Sequence, residues 1–301
     1  MEAIITVVGF LGAGKTTLLK QLTNRFLSND WQPYIILNDY ENAYIDAQDF
    51  IIKNNPKWVK ALSGSCICCS GIDQLRQYIN GIPERKKGVV LIEANGTSDA
   101  CTLMEFLGVG LKDRFLPPIQ ISVVDVKNWQ KRGEHNTLEA NQIQTSSLIV
   151  LTHLENISKH RKTAVISSLK NINPLAEITT LELLDETLIP QLKPIKNQIK
   201  KLDHLQSHWS SCSIDLPKLS HLNAIKTICN NIPQHILRVK GCTHIAADNH
   251  YTYFERTPDG TVSIRKFNGV PITGSKLLCI GPRSSIVILE KAIEAGLQTK
   301  N

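Results

Sequence analysis

Two short stretches hold residues whose types and spacing could do chemistry. The first is Gly9-Phe10-Leu11-Gly12-Ala13-Gly14-Lys15-Thr16-Thr17, in which four variable residues separate Gly9 from Gly14-Lys15-Thr16. That is the spacing of a phosphate-binding P-loop. Its glycines let the backbone wrap closely round a polyphosphate. Amides of the loop and of the following helix N-terminus then point at the anion. Lys15 would reach the β- and γ-phosphates, and the Thr16 hydroxyl would ligate Mg²⁺. Gly9, Gly12, Ala13, Gly14, Lys15, Thr16 and Thr17 are therefore the expected contacts of a nucleoside triphosphate.

The second stretch is Cys66-Ile67-Cys68-Cys69, which packs three thiols into four positions. In an extended strand Cys66 and Cys68 project to one side, and a turn at Cys69 can bring the third thiol round. Three thiolates suit Zn²⁺, Co²⁺ or another thiophilic divalent ion, with a fourth position left open. The spacing is tighter than the Cys-x₂-Cys of a structural zinc ribbon, and no second pair follows at ribbon distance. The other cysteines, Cys101, Cys212, Cys229, Cys242 and Cys279, fall mostly within expected elements and read as core residues.

Positioning these groups requires an alternation of buried strands and helices. Strands are expected at Ile4–Val8, Tyr34–Leu37, Val89–Ile92, Ile119–Val124, Leu148–Leu151 and Glu177–Thr180. Helices are expected at Lys15–Phe26, where Leu18, Leu19 and Leu22 share a face, and at Asp73–Ile79 and Leu138–Thr145. This is the pattern of an α/β P-loop domain, a mainly parallel sheet covered by helices. Glu93 ends one buried strand, at the place where P-loop enzymes hold the Mg²⁺ side of the triphosphate. Glu93-Ala94-Asn95-Gly96 resembles the acid-x-x-Gly switch of GTPases, in which the glycine amide senses the γ-phosphate.

The character of the chain changes after residue 190. Residues 191–206 read as a linker, with Lys193 to Lys201 rich in positive charge and with prolines nearby. Residues 207–301 read as a small α+β domain. Its expected strands are His208–Ile214, Ile236–Val239, Tyr251–Glu255, Val262–Phe267 and Leu277–Ile280, and its helices lie near Leu219–Asn230 and Ser284–Ala295. Asp259-Gly260 is a hairpin signal between two of the strands.

Composition narrows the function classes. The chain has 301 residues, 42% hydrophobic and 20% charged, with 34 Lys and Arg against 27 Asp and Glu. The +7 balance is spread over small clusters that read as solvated faces. No basic stripe with interleaved aromatics argues for a nucleic-acid partner. No apolar run reaches membrane-spanning length. Met1-Glu2 lacks a positive leader region, and Lys15 interrupts the apolar stretch that a leader would need. The expectation is a cytoplasmic protein without a membrane partner. Its eight cysteines then point to metal or redox chemistry rather than a disulfide framework.

In order along the chain these pieces resemble the CobW-type P-loop GTPases, close to the urease and hydrogenase nickel-insertion GTPases. The matching residues are Gly9–Thr17, Asn38-Asp39, Cys66-x-Cys68-Cys69 and Glu93-x-x-Gly96. Val123-Val124-Asp125, Gln142 to Glu155, Asn173-Pro174-x-Ala176 and Arg238-x-Lys240-Gly241 complete the set. The resemblance implies a GTP-hydrolysing metallochaperone or metal-dependent activator, with a CobW C-terminal domain and a client metalloprotein. Mg²⁺ would be held with GTP by Thr16 and Glu93, and Zn²⁺ or a similar ion by Cys66, Cys68 and Cys69. Lys15, Glu93 and Asp39 would act in catalysis, with either Glu93 or Asp39 orienting the attacking water. Intrinsic turnover would be slow, because phosphoryl transfer is mostly positioning and charge neutralisation.

Three departures stand out. The guanine-reading Asn-Lys-x-Asp of the family aligns with Thr152-His153-Leu154-Glu155, so Thr152, His153 and Glu155 would face the base with a carboxylate one methylene longer. The first-switch Asn-Glu-x-Gly appears as Asn38-Asp39-Tyr40-Glu41. The His-rich metal-loading stretch is missing, although His204 and His208 stand at helical spacing. Two other readings fit the same residues: a P-loop ATPase or kinase with relaxed base choice, and a non-hydrolysing scaffold that senses nucleotide and metal.

Overall fold

The computed structural model describes residues 1–38, 56–62, 72–184, 192–194, 211–246, 250–267, 271, 274–281 and 283–299. These fall into two compact units, one carrying the P-loop and one built from the C-terminal part of the chain. No helix among the described residues is long and apolar enough to cross a membrane.

In the first unit, β1 (Ala3–Val8) leads through the glycine-rich loop into α1 (Lys15–Ser28), and β2 (Gln32–Asn38) follows. Next come β3 (Val59–Leu62), α2 (Ile72–Gly81), β4 (Gly88–Glu93) and α3 (Ala100–Leu107). The unit ends with β5 (Ile119–Asp125), α4 (Asn136–Gln144), β6 (Leu148–Thr152), α5 (Lys159–Ile172) and β7 (Glu177–Thr180). The sheet has seven strands in the order β3-β2-β4-β1-β5-β6-β7, and every pairing is parallel. The expected fold class is therefore the observed one.

β4 is apolar on both faces because helices cover both, while its near neighbour β5 also buries the polar Gln120 and Ser122. β4 and β5 are buried along their whole length. Ile4, Val8, Val90 and Ile92 pack with Leu75 and Ile79 of α2 and Leu103 and Leu107 of α3. Val124, Ile149 and Leu151 pack with Ile143 of α4 and Val165 and Leu169 of α5. Burying a side chain of this size contributes roughly 1.5–3 kcal/mol. The packing fixes β1 between β4 and β5, so the loop after β1 emerges at the carboxyl ends of the strands, where open α/β sheets bind ligands.

The amino ends of the strands are tied differently. Glu2, fully buried, accepts from Arg85 Nε (3.0 Å) and forms ion pairs with Arg85 (2.5 Å) and Arg114 (2.5 Å). Its carboxylate lies where a side chain at Gly88 would stand.

The C-terminal unit is a five-stranded antiparallel sheet in the order β11-β10-β9-β12-β8. It comprises β8 (Ser211–Asp215), α6 (Leu222–Asn231), β9 (Arg238–His244), β10 (Tyr251–Arg256), β11 (Val262–Phe267), β12 (Lys276–Ile280) and α7 (Ile286–Leu297). Ile225, Ile228, Leu289 and Ile293 of the two helices pack on Val239, Phe254 and Leu277 of the sheet. Gly241 pairs directly with Phe254, and the Phe254 ring fills the space a Cβ at Gly241 would take. Gly260 turns β10 into β11 at φ +86°, in line with the hairpin signal.

Differences from the sequence expectations have local causes. β3, α3 and α5 are not among the expected elements: β3 is a four-residue strand held by its pairing with β2, and α3 and α5 pack on the sheet through Leu103 and Leu107 and through Val165 and Leu169. β9 runs on to His244 because it is paired on both sides, with β10 as far as His244 and with β12 as far as Cys242. α6 begins at Leu222, since Leu219 instead bridges to Ile245 and the His221 imidazole caps the helix by accepting from Ala224 N (3.2 Å). The five cysteines expected in the core are buried except for half-buried Cys212. Burial pushes the Cys101 and Cys229 thiols up to about 12, which keeps them protonated and unreactive. Most of the linker lies outside the described residues, as do His204 and His208.

Candidate nucleotide site

The loop after β1 is shaped by its glycines. A Cβ at Gly9 (φ +149°) would lie 2.5 Å from Val123 O of β5, so a side chain there would lift the loop off the sheet. Gly12 and Gly14 also take positive φ, +78° and +97°. Gly14 is the N-cap of α1 and offers no side-chain cap, and the first turn of the helix holds no acidic residue. The positive end of the helix therefore keeps its attraction for an anion. Ala13 is buried and Thr17 is exposed.

Lys15, buried, donates from Nζ to the carbonyls of its own loop, Gly9 O at 3.0 Å and Phe10 O at 3.2 Å. The Thr16 hydroxyl donates to Glu93 Oε1 at 2.8 Å. That contact joins the carboxyl ends of β1 and β4 across 77 residues of sequence. A hydroxyl and a carboxylate so placed are hard oxygen donors, the set that suits Mg²⁺.

The segment after Glu93 turns back against the loop. Asn95 Oδ1 accepts from Thr97 N and Thr97 Oγ1, both at 3.1 Å. Asp99 caps α3 by accepting from Thr102 N at 3.0 Å. Gly96 lies against Leu11: a Cβ there would come within 2.5 Å of Leu11 Cδ2 and 2.8 Å of Leu11 N.

Residues expected to face the base also brace the loop. Thr152 Oγ1, at the end of β6, lies 2.8 Å from Ala13 O and 3.1 Å from Val124 O. His153, at φ +52°, places Nε2 3.0 Å from Gly12 O, a bond made by the Nε2–H tautomer or the imidazolium. Glu155 is exposed.

A buried ion network supports the loop from the other side. Arg132 donates from Nε to Glu139 Oε1 (2.7 Å) and from Nη2 to Asp125 Oδ2 (3.1 Å). Its guanidinium lies 4.4 Å from the centroid of the Phe10 ring, within cation–π range. Burial raises the Glu139 carboxyl above its ordinary value, even with the opposing charge of Arg132. The residue pattern assigned no role to Arg132, Glu139, Asn141 or Gln142. The sequence signals for this group are Asp125, a carboxylate closing a buried strand beside the P-loop strand, and Gln142, which opens one of the segments that resemble the family.

Gly9, Gly12, Ala13, Gly14, Lys15, Thr16, Glu93, Gly96, Thr152 and His153 are thus drawn to one end of the sheet. Asp39, Cys66, Cys68 and Cys69 lie outside the described residues. Among the described residues no cluster of His, Cys, Asp and Glu is placed to hold a metal ion.

Residues 3–180 match the family described as CobW/HypB/UreG, nucleotide-binding domain. The zinc chaperone YjiA of Escherichia coli is 27% identical over 60% of this chain and 57% of its own. The zinc-regulated GTPase metalloprotein activator 1 of Dictyostelium discoideum is 26% identical over 56% of this chain and 43% of its own. The chain spans about half the length of these curated relatives. Among solved structures, Zn(II)-bound YjiA GTPase of E. coli aligns over 99% of both chains at 19% identity, with a TM-score of 0.40. HypB of Helicobacter pylori in complex with nickel aligns over 62% of this chain and 86% of its own at 18% identity, with a TM-score of 0.41.

Proposed function

The chain belongs to the CobW/HypB/UreG family, and from that premise we propose that it is a slow GTPase coupling GTP binding and hydrolysis to the carriage of Zn²⁺ or a similar thiophilic ion. The observation that carries the nucleotide half is the 2.8 Å bond between Thr16 Oγ1 and Glu93 Oε1 beside a loop held open by Gly9, Gly12 and Gly14. Thr16 and Glu93 are the residues that would hold Mg²⁺ with GTP. The ion would supply charge neutralisation on the β- and γ-phosphates. Lys15 would exchange its loop carbonyls for phosphate oxygens, and Gly96 would sense the γ-phosphate. Glu93, or Asp39, would orient the attacking water. Glu155 would accept from the guanine.

Cys66, Cys68 and Cys69 are the proposed ligands of the transported ion, a soft set matched to Zn²⁺ or Co²⁺. They lie in sequence between the first-switch residues and Glu93. Metal affinity and nucleotide state should then be linked reciprocally, and hydrolysis would release the ion to a client metalloprotein. The relatives named as a zinc chaperone and a zinc-regulated GTPase activator support this reading.

The test is a competition titration of Zn²⁺ affinity with Mg²⁺ alone and with Mg²⁺ plus a non-hydrolysable GTP analogue. About tenfold tighter or looser binding, roughly 1.4 kcal/mol of coupling, is expected. Tight Zn²⁺ binding that ignores the nucleotide would break the proposed link. Zn²⁺ affinity unchanged by Cys68→Ser would remove the thiol site.

A further inference from the structure

The main chain of residues 96–100 is held by two consecutive side chains of α4. Gln142 donates from Nε2 to Gly96 O (2.9 Å) and Ser98 O (3.2 Å). Asn141 Oδ1 accepts from Ala100 N (3.1 Å). Residues 96, 98 and 100 thus present alternate main-chain groups to α4, while Leu11 of the P-loop packs against Gly96. Gly96 is pinched between the loop expected to hold phosphate and the Gln142 amide.

The base of this clamp is hydrogen-bonded to the sheet. Gln142 O accepts from Gln120 Nε2 (2.6 Å) and Ser122 Oγ (2.7 Å) of β5. Beyond it, Asn173 Nδ2 donates to Ile143 O (2.7 Å) and Ser146 O (2.9 Å), fastening the end of α4. The clamped side is incompletely paired. Gln142 Oε1, Asn141 Nδ2 and Ser98 Oγ are buried with no hydrogen-bond partner among the described residues. They are an acceptor, a donor and a hydroxyl gathered round one short segment. Buried groups left unpaired are costly, and these have the complementary types needed to pair once segment 96–100 shifts.

We propose that Asn141 and Gln142 form a positioning clamp that reads the γ-phosphate, holding the main chain of 96–100 in one nucleotide state and exchanging partners in the other. Gln142 touches neither phosphate nor base in this scheme; it acts through Gly96. The inference rests on the GTPase reading above and deepens it by naming α4 as the element that responds to hydrolysis.

The experiment compares wild-type protein with Gln142→Met, which keeps the length of the side chain and removes its amide. GDP affinity, affinity for a non-hydrolysable GTP analogue and single-turnover GTP hydrolysis are measured for both. GDP binding should stay within about twofold, while hydrolysis at saturating GTP slows about tenfold or more and the analogue-to-GDP affinity ratio shifts. A purely structural role would lower both affinities together with the melting temperature. Folded Gln142→Met with wild-type hydrolysis and an unchanged affinity ratio would overturn the clamp alone. Wild-type protein that binds neither GTP nor GDP would overturn the GTPase reading and the clamp with it. Should Gln142→Met fail to fold, Gln142→Asn, which retains the amide one methylene short, is judged by the same criteria.

Discussion

Replacing Gly96 with Ala adds one methyl group where the segment after Glu93 meets the P-loop. The nearest atom, Leu11 Cδ2 at 2.5 Å, is the end of a side chain that can rotate away. Leu11 N at 2.8 Å is backbone and cannot. The methyl stands about 0.7 Å or more inside ordinary contact with Leu11 N, so either the loop or segment 96–100 must withdraw. Gly96 is not among the residues with positive φ, so alanine meets no backbone strain and the contact alone sets the cost. Overpacking of this kind costs about 1–3 kcal/mol, equivalent to roughly 5–150-fold in an equilibrium constant. If Gly96 must approach the γ-phosphate, that loss falls on the triphosphate state. A non-hydrolysable GTP analogue should therefore lose roughly 5–150-fold in affinity while GDP loses much less. Isothermal titration of both nucleotides, with Mg²⁺ present, measures the pair. Equal losses for the two would refute the argument, since they would place the clash outside any γ-phosphate-dependent movement.

Three further outcomes are expected in other parts of the molecule. Glu2→Gln leaves the buried Arg85 guanidinium and the half-buried Arg114 guanidinium without their charge partner and should cost about 3–5 kcal/mol in urea unfolding; nucleotide affinity, set at the other end of the strands, should not move, and a loss under about 1 kcal/mol would show that solvent replaces the pair. Burial raises the Glu255 carboxyl, but the charges of Arg238 and Lys240 and hydrogen bonds from Arg238 and Tyr253 outweigh it and hold the group below its ordinary 4.5. A depressed carboxylate stabilises the fold above its unfolded value and loses that contribution as pH falls through its folded value, so the melting temperature should drop below pH 4.5 in the wild type and drop less steeply in Glu255→Gln. Equal acid sensitivity in the two proteins would remove Glu255 from the account. Glu155→Asp should sharpen the preference for GTP over ATP in competition binding, because it withdraws the longer carboxylate to the length the family uses; an unchanged ratio would detach Glu155 from base reading.

Much of this protein is legible in local sequence. The segments Tyr34–Leu37, Val89–Ile92 and Leu148–Leu151 are continuous apolar runs because both faces of those strands are covered, whereas β5 alternates Gln120 and Ser122 with apolar residues and edge strand β7 is largely polar. Gly9, Gly12 and Gly14 announce a loop of positive φ, and Asp259-Gly260 announces a hairpin, because those conformations exclude most side chains. β3, α3 and α5 are not named by the sequence pattern: β3 is only four residues long, and the buried face of α5 is reduced to Val165 and Leu169.

Residue types and spacing by themselves determined that a phosphate-binding loop joins a buried strand to a helix and that a carboxylate closes a second buried strand. Tertiary structure decided which of these meet. The strand order puts β4 beside β1, so Thr16 bonds Glu93, although 77 residues separate them. It also sets α4 against the segment after Glu93, so Gln142 reaches Gly96 and Ser98, and sends Arg132 across Phe10. The physical reason is one of range. Turn chemistry and burial act on neighbours along the chain, whereas a donor finds a distant acceptor only after strand order and helix packing have brought the two within about 3 Å.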